Sequence, residues 1–235
     1  MTAAATFDLG TLHGGLRLPG EKETSTARGI RTAPVPSQLY IPITQHVGEA
    51  AQPVVGMGEK VLKGQLLATA YGSLSAPVHA STSGTIVAIE AWPVSQRHGE
   101  TGPCMILESD GEDRALRYED RPLPFESIAP DVLLQTILDG GIVGLGGAVF
   151  PTAQKLMQAV TAPLTHLILN GVECEPYISC DDMLMRERAA EVLGGAQILM
   201  HALGLGRCFV AVESDKPDAI RGLATALGEL GDPCI

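Results

Sequence analysis

Eight consecutive residues, Gly140-Gly141-Ile142-Val143-Gly144-Leu145-Gly146-Gly147, contain five glycines. Such a run cannot extend a helix or a strand cheaply, because each glycine gives up more backbone freedom on folding than any other residue. It must be a loop, and it separates parts of the chain that read differently. Before it, Leu133, Leu134, Ile137 and Leu138 recur at helical spacing, with Gly140 placed as the C′ residue just beyond that helix. After it, Pro151 suits the first position of a second helix, whose apolar face is Ala153, Leu156, Met157 and Val160. A loop between two helices is not the strand-to-helix turn of a dinucleotide fingerprint, and this one lacks the Lys-Ser/Thr ending of a P-loop. Two readings stay open: a plain helix-joining turn, or backbone N–H groups cradling a phosphate. Five glycines exceed what one turn needs, which favours the cradle. Lys155, one turn into the second helix, either reaches back to that phosphate or is an ordinary solvated lysine.

Next comes an expected buried strand, Thr165 to Asn170, which ends in Asn170-Gly171-Val172-Glu173-Cys174-Glu175-Pro176. Open α/β sheets bind ligands at strand ends. An amide there suits an isoalloxazine or a ribose, and carboxylates can accept from ring N–H groups or hydroxyls. Taken alone, the residues favour a plainer role, a polar loop capping the helix that opens near Asp181. That helix is expected to run to about Leu203, broken at Gly194-Gly195. Cys208 to Val212 reads as a strand, and Pro217 opens a last helix. This alternation implies a parallel sheet covered by helices. Two strands are few for a complete α/β domain, so a piece of a longer protein is expected. Cys174 reads as a small filler, and His13, His79, His166 and His201 as structural.

Upstream the pattern is different. Residues 1–37 are rich in Gly, Pro, Thr and Arg and read as an extended arm. Residues 38–110 are short β runs punctuated by Gly and Pro, a small sandwich. With aromatic content at 4%, its core must be Ala, Val, Leu and Ile. Residues 58–68 and 76–89 resemble the two halves of a lipoyl- or biotinyl-carrier fold. The hairpin tip between them, Tyr71 to Ser75, has no lysine, so no prosthetic arm can be attached there and the carrier function is excluded. Residues 111–127 read as a linker and 128–235 as the α/β domain.

A net charge of −11 argues against a nucleic-acid partner. No apolar run approaches the roughly 18 residues of a membrane span, and the N-terminus lacks the features of a signal peptide. The five cysteines show no C-x-x-C spacing, which argues against a disulfide framework, a zinc ribbon or an iron–sulfur cluster held by this chain alone, so no metal ligands are assigned.

Gly144-Leu145-Gly146-Gly147-Ala148-Val149-Phe150-Pro151-Thr152 with Lys155, followed by Asn170 to Pro176, resembles the flavin motif of the NADH-binding flavoprotein subunit of respiratory complex I. The arm and the lysine-less carrier-like domain are similar instead to the RnfC subunit of the Rnf electron-transport complex. That likeness is carried by His13-Gly14-Gly15, residues 41–48, Val61-Leu62-Lys63-Gly64-Gln65 and Pro77-Val78-His79-Ala80. The fold implied is an arm, a barrel-sandwich domain and a Rossmann-like α/β domain that is incomplete at its C-terminus. The function implied is a peripheral subunit on the cytoplasmic side of the inner membrane, oxidising NADH through FMN. Electrons would pass towards ferredoxin and the membrane subunits of an ion-translocating complex. By the resemblance, Gly144, Gly146, Gly147 and Lys155 hold the FMN phosphate, and Asn170 and Glu173 contact the flavin. Phe150 and Glu175 border the nicotinamide, with Glu175 as the catalytic-side residue. The family's [4Fe–4S] clusters belong to a C-terminal region that this sequence does not contain. Leu145 and Val172 stand where the complex I motif has arginine and aspartate, so fewer flavin contacts are expected. The alternative function is a non-catalytic docking module of the same kind of complex.

Overall fold

The computed structural model describes residues 10, 14, 18–94, 100–117, 124–145, 149–160, 163–231 and 234–235. Compactness divides the chain into two units, Ala33–Ala162 on the one hand and Met1–Thr32 with Pro163–Ile235 on the other. The arm is therefore part of the α/β unit, to which it contributes one short helix, α1 (Glu23–Thr26). The division falls after residue 162, whereas the composition shift in the sequence lies at 111–127.

The first unit is built on seven short strands, β1 (Gln38–Pro42), β2 (Gln52–Pro53), β3 (Lys60–Val61), β4 (Leu66–Thr69), β5 (Val78–His79), β6 (Gly84–Pro93) and β7 (Thr101–Ser109). They form two antiparallel sheets, β1-β7-β6-β3 and β2-β4-β5. Pro42 ends β1, which pairs on one side only, where a missing N–H costs no ladder bond. Ile41, Val61, Leu67, Val78, Ile86, Met105 and Leu107 turn inward from both sheets and form one aliphatic core. Each fully buried side chain of this size contributes about 1.5–3 kcal/mol. The hairpin tip at 70–77 joins β4 to β5 and is clipped by Glu49, whose carboxylate accepts the Leu74 N–H at 3.1 Å.

Residues 110–116 close the barrel. The Leu116 N–H donates to Lys63 O at 2.9 Å and the Lys63 N–H to Arg114 O at 2.9 Å. Ser83 donates to Asp110 at 2.7 Å, and Asp113 accepts from Lys63 and Thr82. The Arg114 guanidinium and the Ser83 hydroxyl hold the Asp110 carboxyl down at about 2.

Two helices complete this unit, α2 (Pro130–Asp139) and α3 (Thr152–Val160). Leu133 and Ile137 are the buried stripe of α2. Gly140 stays right-handed as its cap, and Gly141, with φ 63°, is the residue that turns the chain, one position later than the sequence spacing indicates. A Cβ on Gly141 would lie 2.4 Å from the Pro77 carbonyl oxygen. His79 hydrogen-bonds the backbone of Asp139, and burial still pushes its pKa down. The imidazole pins the end of α2 to β5, a structural role.

The second unit contains β8 (Leu167–Gly171), α4 (Cys180–Glu187), α5 (Ala189–Leu203), β9 (Cys208–Val212) and α6 (Pro217–Leu230). β8 and β9 are parallel, paired from Leu167↔Cys208 to Gly171↔Val212. Their inward residues pack on α5 and α6 through Leu193, Ala196, Met200, Cys208, Ala219 and Leu223. Two sequence expectations need correction. The strand is not buried: Ile168 is 66% exposed, because helices cover one face of a two-stranded sheet. The helical stretch breaks at Arg188, not at Gly194-Gly195, which lie inside α5. A helical glycine costs about 1 kcal/mol, and here the packing of Leu193, Ala196 and Met200 outweighs it.

Candidate functional site

The glycine loop and the strand-end loop fall in different compact units, and each has its own geometry. In the loop between α2 and α3, Val143 and Pro151 form an antiparallel bridge. The Gly144 N–H donates to Phe150 O at 2.9 Å and the Thr152 N–H to Ile142 O at 2.9 Å. These bonds close a narrow neck, and Leu145, just beyond it, is 86% exposed. Val149 is held at φ 51°, and its carbonyl accepts the Val47 N–H at 3.2 Å. Gly144 has space around it, since a Cβ there would meet only Phe150 O at 3.8 Å. Among the described residues no close contact requires glycine at 144. The loop feeds directly into α3, whose first-turn N–H groups have no intrahelical acceptor. Lys155 is exposed, one turn into that helix, and Phe150 is half-buried. Gly146 and Gly147 lie outside the described residues, as does His13.

The strand-end loop after β8 is tightly ordered. Asn170 is exposed, and its Oδ1 accepts the Val172 N–H at 3.2 Å. Gly171 is buried so closely against α4 that a Cβ would meet Met185 Sδ at 2.6 Å. Glu173 has φ 48° and a side chain only 1% exposed. Its carboxylate accepts the N–H of Asp181 at 2.7 Å and of Asp182 at 3.2 Å. It thus satisfies the open N-terminus of α4 with a charge of the favourable sign. The capping role that the sequence favoured for this loop is what the Glu173 carboxylate performs. Glu175 is exposed, and Tyr177, with φ 66°, is 68% exposed.

Sequence reasoning missed the groups that hold this loop. Lys22, from the arm, pairs with the Glu173 carboxylate at 3.6 Å and also donates to the Glu173 backbone carbonyl. Nothing in a lone lysine 151 positions away signals such a contact. Asp182, 2% exposed, takes a two-pronged contact from Arg186 at 2.7 and 2.5 Å, and Arg186 reaches on to Asp218 of α6 at 3.3 Å. The i,i+4 spacing of Asp182 and Arg186 was a usable signal. Lys216, after β9, is buried between Glu213 at 3.2 Å and Asp215 at 2.9 Å.

The electrostatics of the loop are acidic. One ligand atom each from Glu173, Cys180 and Asp181 lie within 4.8 Å of one another. Burial, and then the neighbouring Glu173 carboxylate, raise the pKa of both Cys180 and Asp181. A thiol raised in this way is a poor nucleophile at neutral pH. An open cavity of about 520 Å³ lies beside the loop, lined by Ser25, Arg28, Ile30, Tyr177, Cys180 and Met183.

Comparison with known proteins matches both halves of the chain. Residues 10–112 match the family described as the RnfC barrel sandwich hybrid domain, and residues 137–233 the Nuo51 FMN-binding domain. The chain is thus a barrel-sandwich domain followed by an FMN-binding domain of the Nuo51 type. Its relatives are named as the C-subunit of an ion-translocating oxidoreductase complex. That of Pseudomonas aeruginosa is 48% identical over 216 residues, covering 92% of this chain and 28% of the relative. That of Rhodobacter capsulatus is 42% identical, covering 94% and 42%. One from Haemophilus influenzae is 41% identical, covering 94% and 33%. The chain is similar to these C-subunits over more than nine-tenths of its own length and spans less than half the length of these relatives. A solved NAD+-reducing [NiFe]-hydrogenase in its H2-reduced state is similar at 26% identity and a TM-score of 0.43, over 46% of this chain and 19% of that one. No described helix is long and apolar enough to cross a membrane.

Proposed function

We propose that this chain is the FMN-binding part of an NADH-oxidising subunit in a membrane-associated, ion-translocating oxidoreductase complex. The observation that carries the reading is the glycine loop. It has a closed neck, an exposed Leu145, space at Gly144 and a helix N-terminus directly behind it. That is the arrangement a phosphate needs. Gly144, Gly146 and Gly147 would let the backbone approach the FMN phosphate, and Lys155 would supply the countercharge. Asn170 would offer its amide to the flavin, and Glu173 would act through the loop it shapes. Phe150 and Glu175 would border the nicotinamide. FMN, when bound, supplies the acceptor for the hydride of NADH. This chain's residues bind, orient and exclude water. Electrons would leave towards [4Fe–4S] clusters in a further region of the subunit, and then to a ferredoxin-type carrier and the membrane subunits. The subunit would lie peripherally on the cytoplasmic face of the inner membrane.

The test is titration of FMN, followed by flavin fluorescence, on wild-type chain and on Gly144→Val. A Cβ at 144 meets only Phe150 O at 3.8 Å among the described residues, so a folded variant with affinity at least about tenfold weaker supports the cradle. Unchanged affinity removes it. In the full-length subunit, Glu175→Gln should raise the KM for NADH with FMN retained. A wild-type chain and full-length subunit that both ignore FMN would leave the docking-module reading.

A further inference from the structure

The strand-end loop has a shape that its own residues do not favour. Glu173 and Tyr177 are both non-glycine residues at positive φ, 48° and 66°. Such residues are strained unless their surroundings hold them there. The surroundings come from the arm. Gly20 O accepts the Tyr177 N–H at 2.8 Å, and Ser25 Oγ donates to Tyr177 O at 3.3 Å. The Ile30 N–H donates to both oxygens of Glu187, at the end of α4, at 3.2 and 3.1 Å. Between these contacts Lys22 grips Glu173 twice, at the carboxylate and at the carbonyl, and is itself 12% exposed.

The charges sharpen the point. Asp181 feels Glu173 and Glu175 as like charges and Lys22 as the opposing one. Asp182 is already paired with Arg186, while Glu173, Glu175 and Asp181 repel one another here and Lys22 opposes them. Without that cation, repulsion would push Glu173 away from the N-terminus of α4, and two backbone N–H groups would lose their acceptor.

We propose that Lys22 is a positioning residue: the arm locks Glu173 over α4 and so shapes the loop that carries Asn170 and Glu175. The same ammonium offsets the acidity of the loop on which Asn170 would meet the flavin. The ligand half of this proposal rests on the flavin reading above, and the lock itself does not.

The experiment is amide hydrogen exchange on the full chain for wild type, Lys22→Met and Lys22→Arg, each followed by FMN titration. Met keeps the length and removes the charge, and Arg keeps the charge. In Lys22→Met the amides over residues 173–182, including Asp181 and Asp182, should exchange at least about tenfold faster, with α5, α6 and the β6–β7 ladder unchanged. Lys22→Arg should restore most of the protection. FMN affinity should fall in Lys22→Met and recover in Lys22→Arg. Unchanged exchange over 173–182 overturns the lock. So does faster exchange spread through α5 and α6, which marks general destabilisation. If wild type binds no FMN, the flavin reading fails and the exchange data alone decide the lock. If wild type binds FMN and Lys22→Met binds it equally well with a loosened loop, the positioning role is overturned.

Discussion

Among the described residues, the buried polar side chains of the barrel unit are His46, Ser75, Thr82 and Ser83, one imidazole and three hydroxyls. Those of the α/β unit are Glu173, Ser179, Asp182 and Lys216, three of them charged. The barrel closes two sheets on a continuous aliphatic core and needs its polar groups only to close turns. The α/β unit covers one face of two strands, and its core is split into smaller clusters. It recovers order by tying loops to helices with buried ions, as in Lys22–Glu173, Asp182–Arg186–Asp218 and Lys216 with Glu213 and Asp215. Ions fix direction as well as distance, and a half-broken buried pair is costly. An acidic loop held in strained backbone geometry is where that directional control is needed, whereas a barrel needs only apolar area.

The contrast can be broken most severely at Asp182. Asp182→Ala leaves Arg186 only 23% exposed and without its main partner, and should cost about 3–5 kcal/mol. Denaturation read by hydrogen exchange should place that loss in α4, α5 and α6 and leave β6 and β7 protected. Equal loss in both units would show that the polar ties do not belong to the α/β unit alone. Next is Leu67→Ala in the barrel core, fully buried, with an expected loss of about 2–5 kcal/mol. This loss should appear in the β strands and be insensitive to salt. The smallest effect is acid dependence in the barrel. Asp110 has its pKa lowered to about 2 by Arg114 and Ser83, below the usual value of about 3.9. A carboxylate depressed on folding stabilises above its unfolded pKa, and that stability is lost as pH falls through the folded one. Barrel stability should therefore be level above about pH 4 with respect to this group and decline between about pH 4 and 2. Asp110→Asn should flatten that limb. An unchanged acid limb in the variant would remove Asp110 from the barrel's closure.

Much of the local structure was legible in the sequence. Apolar spacing placed α2, Pro217 opened α6, and Cys208 to Val212 formed β9 as read. The carrier-like halves gave two packed sheets around an aliphatic core, with the tip where the sequence put it. Gly194-Gly195 misled because propensity is a weak prior beside a packed helix face. The strand at β8 misled because an apolar run records β propensity, and the number of layers that will cover it is a tertiary matter. Of the candidate residues, Gly144 and Lys155 were readable from their loop, Asn170, Glu173 and Glu175 from their strand end, and Phe150 only from the family resemblance. What Glu173 does with its carboxylate was readable only as one of two alternatives.

The sequence by itself determined the order of strands and helices, the absence of a lysine at the hairpin tip, and the two loops proposed for a phosphate and a flavin. Those follow from spacing, glycine density and the presence or absence of one side chain. Tertiary structure alone decided that Lys22 belongs to Glu173, that residues 110–116 close the barrel, and that α2 and α3 form one compact unit with it. The physical reason is range. Periodicity and propensity act within a few residues, whereas an ion pair across 151 positions leaves no local trace. It forms only when the folded chain brings a cation to a carboxylate that is already shielded from water.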